Sequence, residues 1–360
     1  MTSPLTYEDF RRLTRMPVLD GVRGLAILGV LLHHTRHSPF LRLHGFRGVW
    51  LFFVLSGFLI TTLALREEEK RGRLDLGAFM IRRVFRIMPL FYLALLAYLC
   101  WASLLGMEPH GALLQRYLLA FVLYCPEFPI MAHKFAVPFA QSWSLGIEEK
   151  FYLLWPLLGF VWLARSRRRV VLALVLLGAT LGLAMRGGTY AQMWGSYSDI
   201  LIGCLLALLM HERRTYDYLC VLGRNQVTWG VLGVLALTTL SALTGTQAGE
   251  RIFSALCALT IAALVTNGAG SAARLAGNEW LRRLGIWSYA VYLTHPILLD
   301  VWDRLLPVGK AWDILTLPLA LVVDLPLCFA LHIYVEKPLI VIGRNIAQQR
   351  RQGVLEASYE

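Results

Sequence analysis

Two polar side chains lie near opposite ends of one apolar stretch, LDGVRGLAILGVLLHH, close to the start of the chain. Arg23 and His34 are eleven positions apart, which in an α-helix gives a rise of about 16 Å and a net rotation of about 20°. They therefore share a helix face with Asp20, whereas His33 lies off that face. Because a charge in hydrocarbon is costly unless it faces protein or water, this polar stripe predicts a functional site.

The residue types suggest proton transfer at one end of the stripe and anion binding at the other. Imidazole is the usual proton acceptor near neutral pH, so we predict that His34 acts as a general base. Guanidinium groups bind phosphate oxygens in a bidentate manner, which suits Arg23 to a phosphate-bearing ligand. The alternative for Arg23 is that it extends toward the membrane interface without taking part in chemistry.

Two further motifs carry charge. FMIRRVFRIMP contains Arg82, Arg83 and Arg86, which would bind phosphates or simply be the positive charge of a cytoplasmic surface in contact with anionic lipid. SWSLGIEEKFYLLWP places Glu148 and Glu149 at the start of a helix. A carboxylate there would orient a histidine, or would only favour the positive end of the helix dipole.

Other polar residues interrupt apolar stretches. Asp199 and Asp324 each require an interior partner or a protonated form, and His295 precedes a proline and is expected to be a core histidine. Trp143 fits an aromatic belt at the membrane interface. The six cysteines have no spacing typical of a metal site or a disulfide framework, so we expect no metal centre.

Composition sets the architecture that must position these residues. The chain has 360 residues, of which 57% are hydrophobic and 16% charged, too apolar for a soluble protein of this size. Its net charge of +12 comes from arginine clusters between apolar runs, as cytoplasmic loops require, and does not indicate nucleic acid. We predict an all-α polytopic membrane protein.

The distribution of basic residues between the apolar runs predicts the topology. Apolar runs and basic clusters together predict about ten membrane helices with cytoplasmic termini, and a short re-entrant or interfacial segment near 113–125. Arg36, Arg42 and Arg47 disagree, since they fall in the first external loop. This topology puts the arginine cluster and the glutamate pair at opposite mouths. We expect an N-terminal segment at 1–17, a membrane domain at 18–340 and a cytoplasmic tail at 341–360.

The order of the motifs resembles the integral-membrane acyltransferases of family three, bacterial enzymes that O-acetylate glycans and related acceptors. The similarity covers about residues 17–340 and rests on these segments: LDGVRGLAILGVLLHH, FFVLSGFLI, RRVFRIMPLFY, QSWSLGIEEKFYLLWP, YSDILIGCLLAL, LGIWSYAVYLTHP and VEKPL. The family's paired arginine and histidine fall on Arg23 and His34, its paired arginines on Arg83 and Arg86, and its glutamate on Glu148.

The resemblance implies ten membrane helices in the bacterial inner membrane, a cytoplasmic acyl-CoA donor, most simply acetyl-CoA, and no permanently bound cofactor. The acceptor would be a glycan or other hydroxyl compound on the outer side, with Ser56, Trp143, Asp199 and His295 as candidate supporting residues. Many members add a C-terminal esterase-like domain; we expect none here, and separate glycan-synthesis proteins as partners. The alternatives are a transporter or flippase, argued against by the lack of an internal repeat, and an assembly subunit.

Overall fold

The structure, a computed structural model, describes residues 3–35, 43–104, 110–163, 166–241, 246–305 and 310–356, and within these ranges it contains helices and no strands. The α-helices in chain order are α1 Tyr7–Arg12, α2 Pro17–His34, α3 Gly48–Arg71, α4 Leu76–Leu104, α5 His110–Arg116, α6 Leu118–Val122, α7 Glu127–Ala132, α8 Trp143–Pro156, α9 Ser166–Met185, α10 Ala191–Met210, α11 Arg213–Leu219, α12 Asn225–Leu240, α13 Gln247–Thr266, α14 Ser271–Ala276, α15 Glu279–Leu305, α16 Lys310–Leu331 and α17 Lys337–Glu356. Two π-helical segments, Leu157–Trp162 and His332–Glu336, follow α8 and α16.

Six helical segments of the described ranges are long and apolar enough to cross a membrane. They are Gly45–Arg71, Leu76–Leu104, Arg167–Met185, Ala191–Met210, Ala248–Thr266 and Leu317–Gln352. A bent pair, Arg213–Gly223 and Asn225–Leu240, turns by 81° and would make a seventh span if it is counted as one. The prediction of an all-helical protein is confirmed for the described residues, and several of their helices are long and apolar enough to cross a membrane.

The apolar outer surface of α9 fits this assignment. Leu174 and Val175 are 49% and 61% exposed, and α9 is among the candidate spans with the least buried surface. Large apolar side chains left uncovered along a whole helix indicate contact with lipid.

Three helices that the sequence analysis assigned to the membrane are too short or too polar to be identified as spans by length and apolarity. α8 has 14 residues, shorter than the roughly 20 residues that a span requires. α2 and α15 are long enough but carry the charged and histidine residues that made them candidate sites, and these side chains lower their mean hydropathy. Membrane helices that bear functional polar groups are the ones that apolarity alone identifies least well.

The chain divides into two compact units. Unit 1 comprises Met1–Arg66 and Arg165–Ser288, and unit 2 comprises Glu67–Ala164 and Tyr289–Glu360. Of the candidate site residues, Arg23, His34, Ser56 and Asp199 belong to unit 1; the remaining ones belong to unit 2.

Within unit 1, α2 is held by direct backbone contact. A Cβ atom on Gly21 would overlap the carbonyl oxygen of Ala276 in α14, and one on Gly24 would overlap that of Leu281 in α15. Gly285 of α15 meets the carbonyl of Asp20 in the same way. Small residues at such crossings let helix backbones approach closely in membranes. The glycines of the LDGVRG motif therefore fix the position of α2.

Arg47, one of the three arginines that disagreed with the topology, is a buried structural residue. It lies in a 3-10 turn, Gly45–Arg47, and is 1% exposed. Its guanidinium donates to the carbonyl oxygens of Thr238 and Thr239, the last turn of α12. A cation at a helix C-terminus is electrostatically favourable. Arg47 therefore does not count against the topology, whereas Arg36 and Arg42 lie outside the described residues.

The C-terminal region that the sequence placed in a tail is, as far as residue 356, a helix packed within unit 2. A Cβ atom on Gly343 of α17 would lie 2.5 Å from the Cβ of Phe85 in α4. Arg351 pairs with Glu67, and Arg350 lies 3.8 Å from Asp75 through its Nε atom. α17 therefore runs alongside the arginine-bearing part of α4.

Candidate functional site

The first candidate group lies on α2, which is continuous from Pro17 to His34. Arg23 is half-buried and His34 is exposed as the last helical residue, with Thr35 already in an extended conformation at φ −75° and ψ 149°. The predicted spacing along one helix thus holds. His37, which would fall on the same helix face if the helix continued, lies outside the described residues.

His34 makes a hydrogen bond that selects one form of its ring. Its Nδ1 atom lies 2.8 Å from the carbonyl oxygen of Val30. Because a carbonyl oxygen only accepts, Nδ1 must carry the proton and donate it. In the neutral ring the lone pair is then on Nε2, the arrangement that a general base requires.

The neighbouring His33 has a different environment. Its ring lies edge-on to that of His34, with 5.4 Å between centroids, and 5.2 Å from that of Phe46. Within the described part of the chain, its buried Nδ1 has no hydrogen-bond partner. His33 is therefore held mainly by ring packing, and it offers a matched comparison for His34.

In unit 2 the three arginines of α4 have different surroundings. Arg82 donates to Glu67 at 2.6 Å, and Glu67 is also paired with Arg351 of α17. Arg86 is exposed. One guanidinium is thus committed to a protein carboxylate, while another remains at the surface.

Arg83 contacts the helix that carries the glutamate pair. Its guanidinium carbon lies 5.3 Å from the ring centroid of Tyr152 in α8 and 5.6 Å from that of Phe79. Glu149 interacts with it electrostatically. The sequence had placed the arginine cluster and the glutamates at opposite mouths, which does not hold for Arg83. α4 and α8 contact each other around Arg83 and Tyr152, at positions inside both helices.

Glu149 is the glutamate that lies near Arg83, whereas the family motif pointed to Glu148. Glu149 is 8% exposed, whereas Glu148 is half-buried. Tyr124 and Tyr289 are its electrostatic neighbours, and Tyr289 donates to the carbonyl oxygen of Ile87 at 2.7 Å. The sequence signal that could have found it is the three-residue spacing between Glu149 and Tyr152, which puts both on one face of α8.

The start of α8 is fixed by buried hydrogen bonds to α15. Gln141 donates to Tyr98 at 2.6 Å and to the carbonyl of Leu293 at 3.1 Å. The hydroxyls of Ser144 and Tyr292 lie 2.8 Å apart. Trp143, 6% exposed, packs edge-on against Phe135, so it is a core residue here. The motifs QSWSLGIEEKFYLLWP and LGIWSYAVYLTHP, recognised separately in the sequence, are therefore in contact.

Sequence reasoning missed a buried ion pair behind α8. Lys150 lies 2.6 Å from Glu127 of α7, whose side chain is fully buried, and also donates to the carbonyls of Tyr124 and Gly146. A Cβ atom on Gly146 would overlap a Glu127 carboxylate oxygen. Burial raises the pKa of Glu127, and Lys150 opposes this effect. Through Tyr124, Lys150 also ties the 113–125 region to the glutamate-bearing helix.

Replacing Lys150 with methionine is expected to destabilise unit 2 by about 3–5 kcal/mol, because it leaves the Glu127 carboxylate buried without its cation. The double variant Lys150→Met, Glu127→Gln should recover most of the loss, because neither variant residue is charged. Thermal unfolding in detergent measures both. Equal instability of the single and double variants would show that the charge of Glu127 is not the cause.

Three of the candidate supporting residues are buried and have partners within the protein or lie where two helices cross closely. Asp199 is fully buried and pairs with Arg251 at 2.5 Å. Ser56 lies on α3 beside Gly57, where an added Cβ atom would overlap the carbonyl oxygen of Ile200 in α10. His295 is 1% exposed and its Nδ1 donates to the Val291 carbonyl.

Asp324 has the interior partners that its burial requires: it accepts from Thr294 at 2.5 Å and from Cys328 at 3.2 Å. The six cysteines are free. Over the ranges described above, no three His, Cys, Asp or Glu side chains come together in a way that would hold a metal ion.

Comparison with known proteins identifies relatives for most of the chain. Over 311 residues it is 28% identical to the peptidoglycan O-acetyltransferase OatA of Listeria monocytogenes, covering 79% of this chain and 49% of that protein. The O-acetyltransferase OatA of Staphylococcus aureus is 28% identical over 328 residues, with 82% and 53% covered. YrhL of Bacillus subtilis, provisionally named a peptidoglycan O-acetyltransferase, is 26% identical over 372 residues, with 94% and 57% covered.

The chain spans about half the length of these curated relatives. No solved structure matches it significantly. The family described as Acyltransferase domain matches residues 16–333, nearly the whole length over which the motifs were recognised. The chain therefore belongs to this acyltransferase family.

Proposed function

We propose that the chain transfers an acyl group, most simply acetyl, from acyl-CoA in the cytoplasm to a hydroxyl group of a glycan on the outer side of the membrane. Family membership supplies the reaction class. The names of its relatives favour peptidoglycan as the acceptor. The structural observation that supports the proposal most directly is the His34 ring, held in the form that leaves Nε2 able to accept a proton.

The proposed setting is the bacterial inner membrane. We propose about ten spans, with α2, α8 and α15 added to the most apolar helices and both termini in the cytoplasm. The short helices α5 and α6 would form the re-entrant or interfacial segment near 113–125. Residues 18–340 would be the membrane acyltransferase domain, with 1–17 and 341–360 on the cytoplasmic side.

The reaction can be written as a direct transfer. Nε2 of His34 takes the proton of the acceptor hydroxyl as its oxygen attacks the thioester carbonyl carbon. The carbon–sulfur bond then breaks, and the leaving coenzyme A thiolate is protonated by the imidazolium of His34. The products are the acyl ester and free coenzyme A. An acyl-histidine intermediate is the less favoured route, since it would need Nε2 as nucleophile rather than base.

The arginines are proposed to bind the donor phosphates. Arg83 and Arg86 of α4 supply the principal guanidinium groups, and Arg23 of α2 assists. Arg82 has a smaller share, because its partner Glu67 already satisfies it. Glu148 is proposed to orient His34 or the acceptor, and the buried Glu149 to hold Arg83 in place. Ser56, Trp143, Asp199 and His295 then support the site through packing.

A coenzyme A release assay separates this function from a transporter or flippase, which the comparisons do not favour. Purified protein in lipid nanodiscs is mixed with acetyl-CoA and soluble peptidoglycan fragments, and free thiol and acetylated product are followed together. We expect acceptor-dependent release of coenzyme A with one acetyl ester formed for each thiol. Thiol release that never depends on acceptor, or none at all, would contradict the proposal.

Donor binding should depend on Arg83 more than on Arg82. Hydrogen bonds to charged groups contribute about 1.5–3 kcal/mol, so Arg83→Gln should weaken acetyl-CoA binding by roughly tenfold or more. Arg82→Gln removes the same charge from the adjacent position and should have a smaller effect on affinity. Isothermal titration with acetyl-CoA measures both. Equal losses in the two variants would assign the effect to net charge alone.

A further inference from the structure

We propose that unit 1 binds an anionic phospholipid, with one acyl chain in a cavity beside the N-terminus of α2 and the phosphate at the mouth of that cavity. The cavity has a volume of about 380 Å³, within the range of roughly 300–1,000 Å³ that small-molecule sites occupy. It is separate from His34, which lies at the other end of α2.

The cavity walls are apolar. Leu13, Val18, Leu264, Val265 and Ala273 line it, from the segment before α2, α2 itself, the end of α13 and α14. Such walls give no hydrogen-bond partners to a polar ligand, whose burial there would be costly. They suit a hydrocarbon chain, which contributes about 0.8 kcal/mol for each methylene that it buries.

The mouth of the cavity is positive. Arg15 and Arg274 both line it and both are exposed. Among the residues that the structure describes, neither arginine forms an ion pair. The N-terminus of α2 also lies at this cavity without a side-chain cap from Met16, and Asp20 in its first turn carries the opposite charge to the two arginines.

Charge complementarity and apolar lining together identify the ligand class. Guanidinium groups recognise phosphate oxygens, and an apolar cavity next to them recognises an attached chain. An inorganic anion would leave the cavity without an occupant, and acetyl-CoA has too short an acyl group to occupy it. An anionic phospholipid satisfies both parts of the site from within the membrane in which the protein is embedded.

Two variants test the two halves of the site. Arg15→Gln with Arg274→Gln removes the charge, and Val18→Phe fills the cavity while leaving both arginines. The matched control is Arg167→Gln with Arg168→Gln, which removes two exposed arginines elsewhere in unit 1. Each full-length protein is purified in detergent, titrated with phosphatidylglycerol and examined by native mass spectrometry.

The parent protein and the control should retain one tightly bound phosphatidylglycerol. Affinity should fall about fivefold for each lost arginine, and Val18→Phe should lose the tight site. Phosphatidylcholine and inorganic phosphate, added separately, should not replace phosphatidylglycerol. Unchanged binding in both site variants would overturn the proposal. Displacement of the lipid by acetyl-CoA would also overturn the proposal, because the cavity would then be part of the donor site. The proposed acyl transfer is tested separately, by the coenzyme A release assay.

Discussion

Replacing His34 with glutamine is expected to lower the rate of acyl transfer by about 10²- to 10⁴-fold, the usual contribution of a positioned general base. Glutamine approximates the size of the ring but has no nitrogen that accepts a proton near neutral pH. The loss should appear in kcat, because the proposed base acts in the chemical step rather than in donor binding. Acetyl ester formation on peptidoglycan fragments measures it.

His33→Gln is the matched control for this experiment. The two histidines are adjacent and their rings touch, so both variants change the end of α2 equally in composition. We expect the His33 variant to remain within a few-fold of the parent enzyme, with both proteins eluting as single species. If both lose activity to the same extent, or neither does, the assignment of His34 as the base is wrong.

A large loss of stability is expected from Gly21→Ala. The added methyl group would occupy the space of the Ala276 carbonyl oxygen, and a backbone atom cannot move away as the end of a side chain can. Forced overpacking costs about 1–3 kcal/mol where side chains adjust and more where they cannot. We therefore expect a loss of at least about 3 kcal/mol, seen as a lower Tm in detergent or as failure to purify.

Gly182→Ala provides the comparison. Gly182 is an exposed residue of α9, and no atom lies within 4 Å of a Cβ atom built there. Alanine favours the helix by about 1 kcal/mol relative to glycine, so this variant should be as stable as the parent or slightly more so. If Gly21→Ala were equally well tolerated, the close contact between α2 and α14 would not be needed for folding.

The sequence predicted the features that depend on local pattern. The 3.6-residue period placed Arg23 and His34 on one helix, and composition predicted an all-helical membrane protein. It also indicated that Asp199 and Asp324 need interior partners. These inferences need only the helix geometry and the cost of burying a charge.

Contacts between distant parts of the chain could not be predicted in the same way. Nothing in the spacing of Glu127 and Lys150 indicates that they pair, because their contact depends on how α7 returns to α8. The contact between Arg83 and Tyr152 likewise depends on where α4 and α8 meet. Arg47 disagreed with the topology for a related reason: charge counting treats every arginine as solvated, whereas this one binds the end of α12.

The glycine contacts hold α2 in one position, so the distance along the helix from Arg23 to His34 is fixed. With Gly21 and Gly24 pressed on the backbones of α14 and α15, the helix has no freedom to slide. Inserting one residue within it would rotate all that follows by about 100° and advance it by about 1.5 Å. Under the proposed function, a donor with its phosphates near Arg23 would bring its thioester to His34 only if its connecting arm matched that length. Unit 1 would then select its substrate by length as well as by charge.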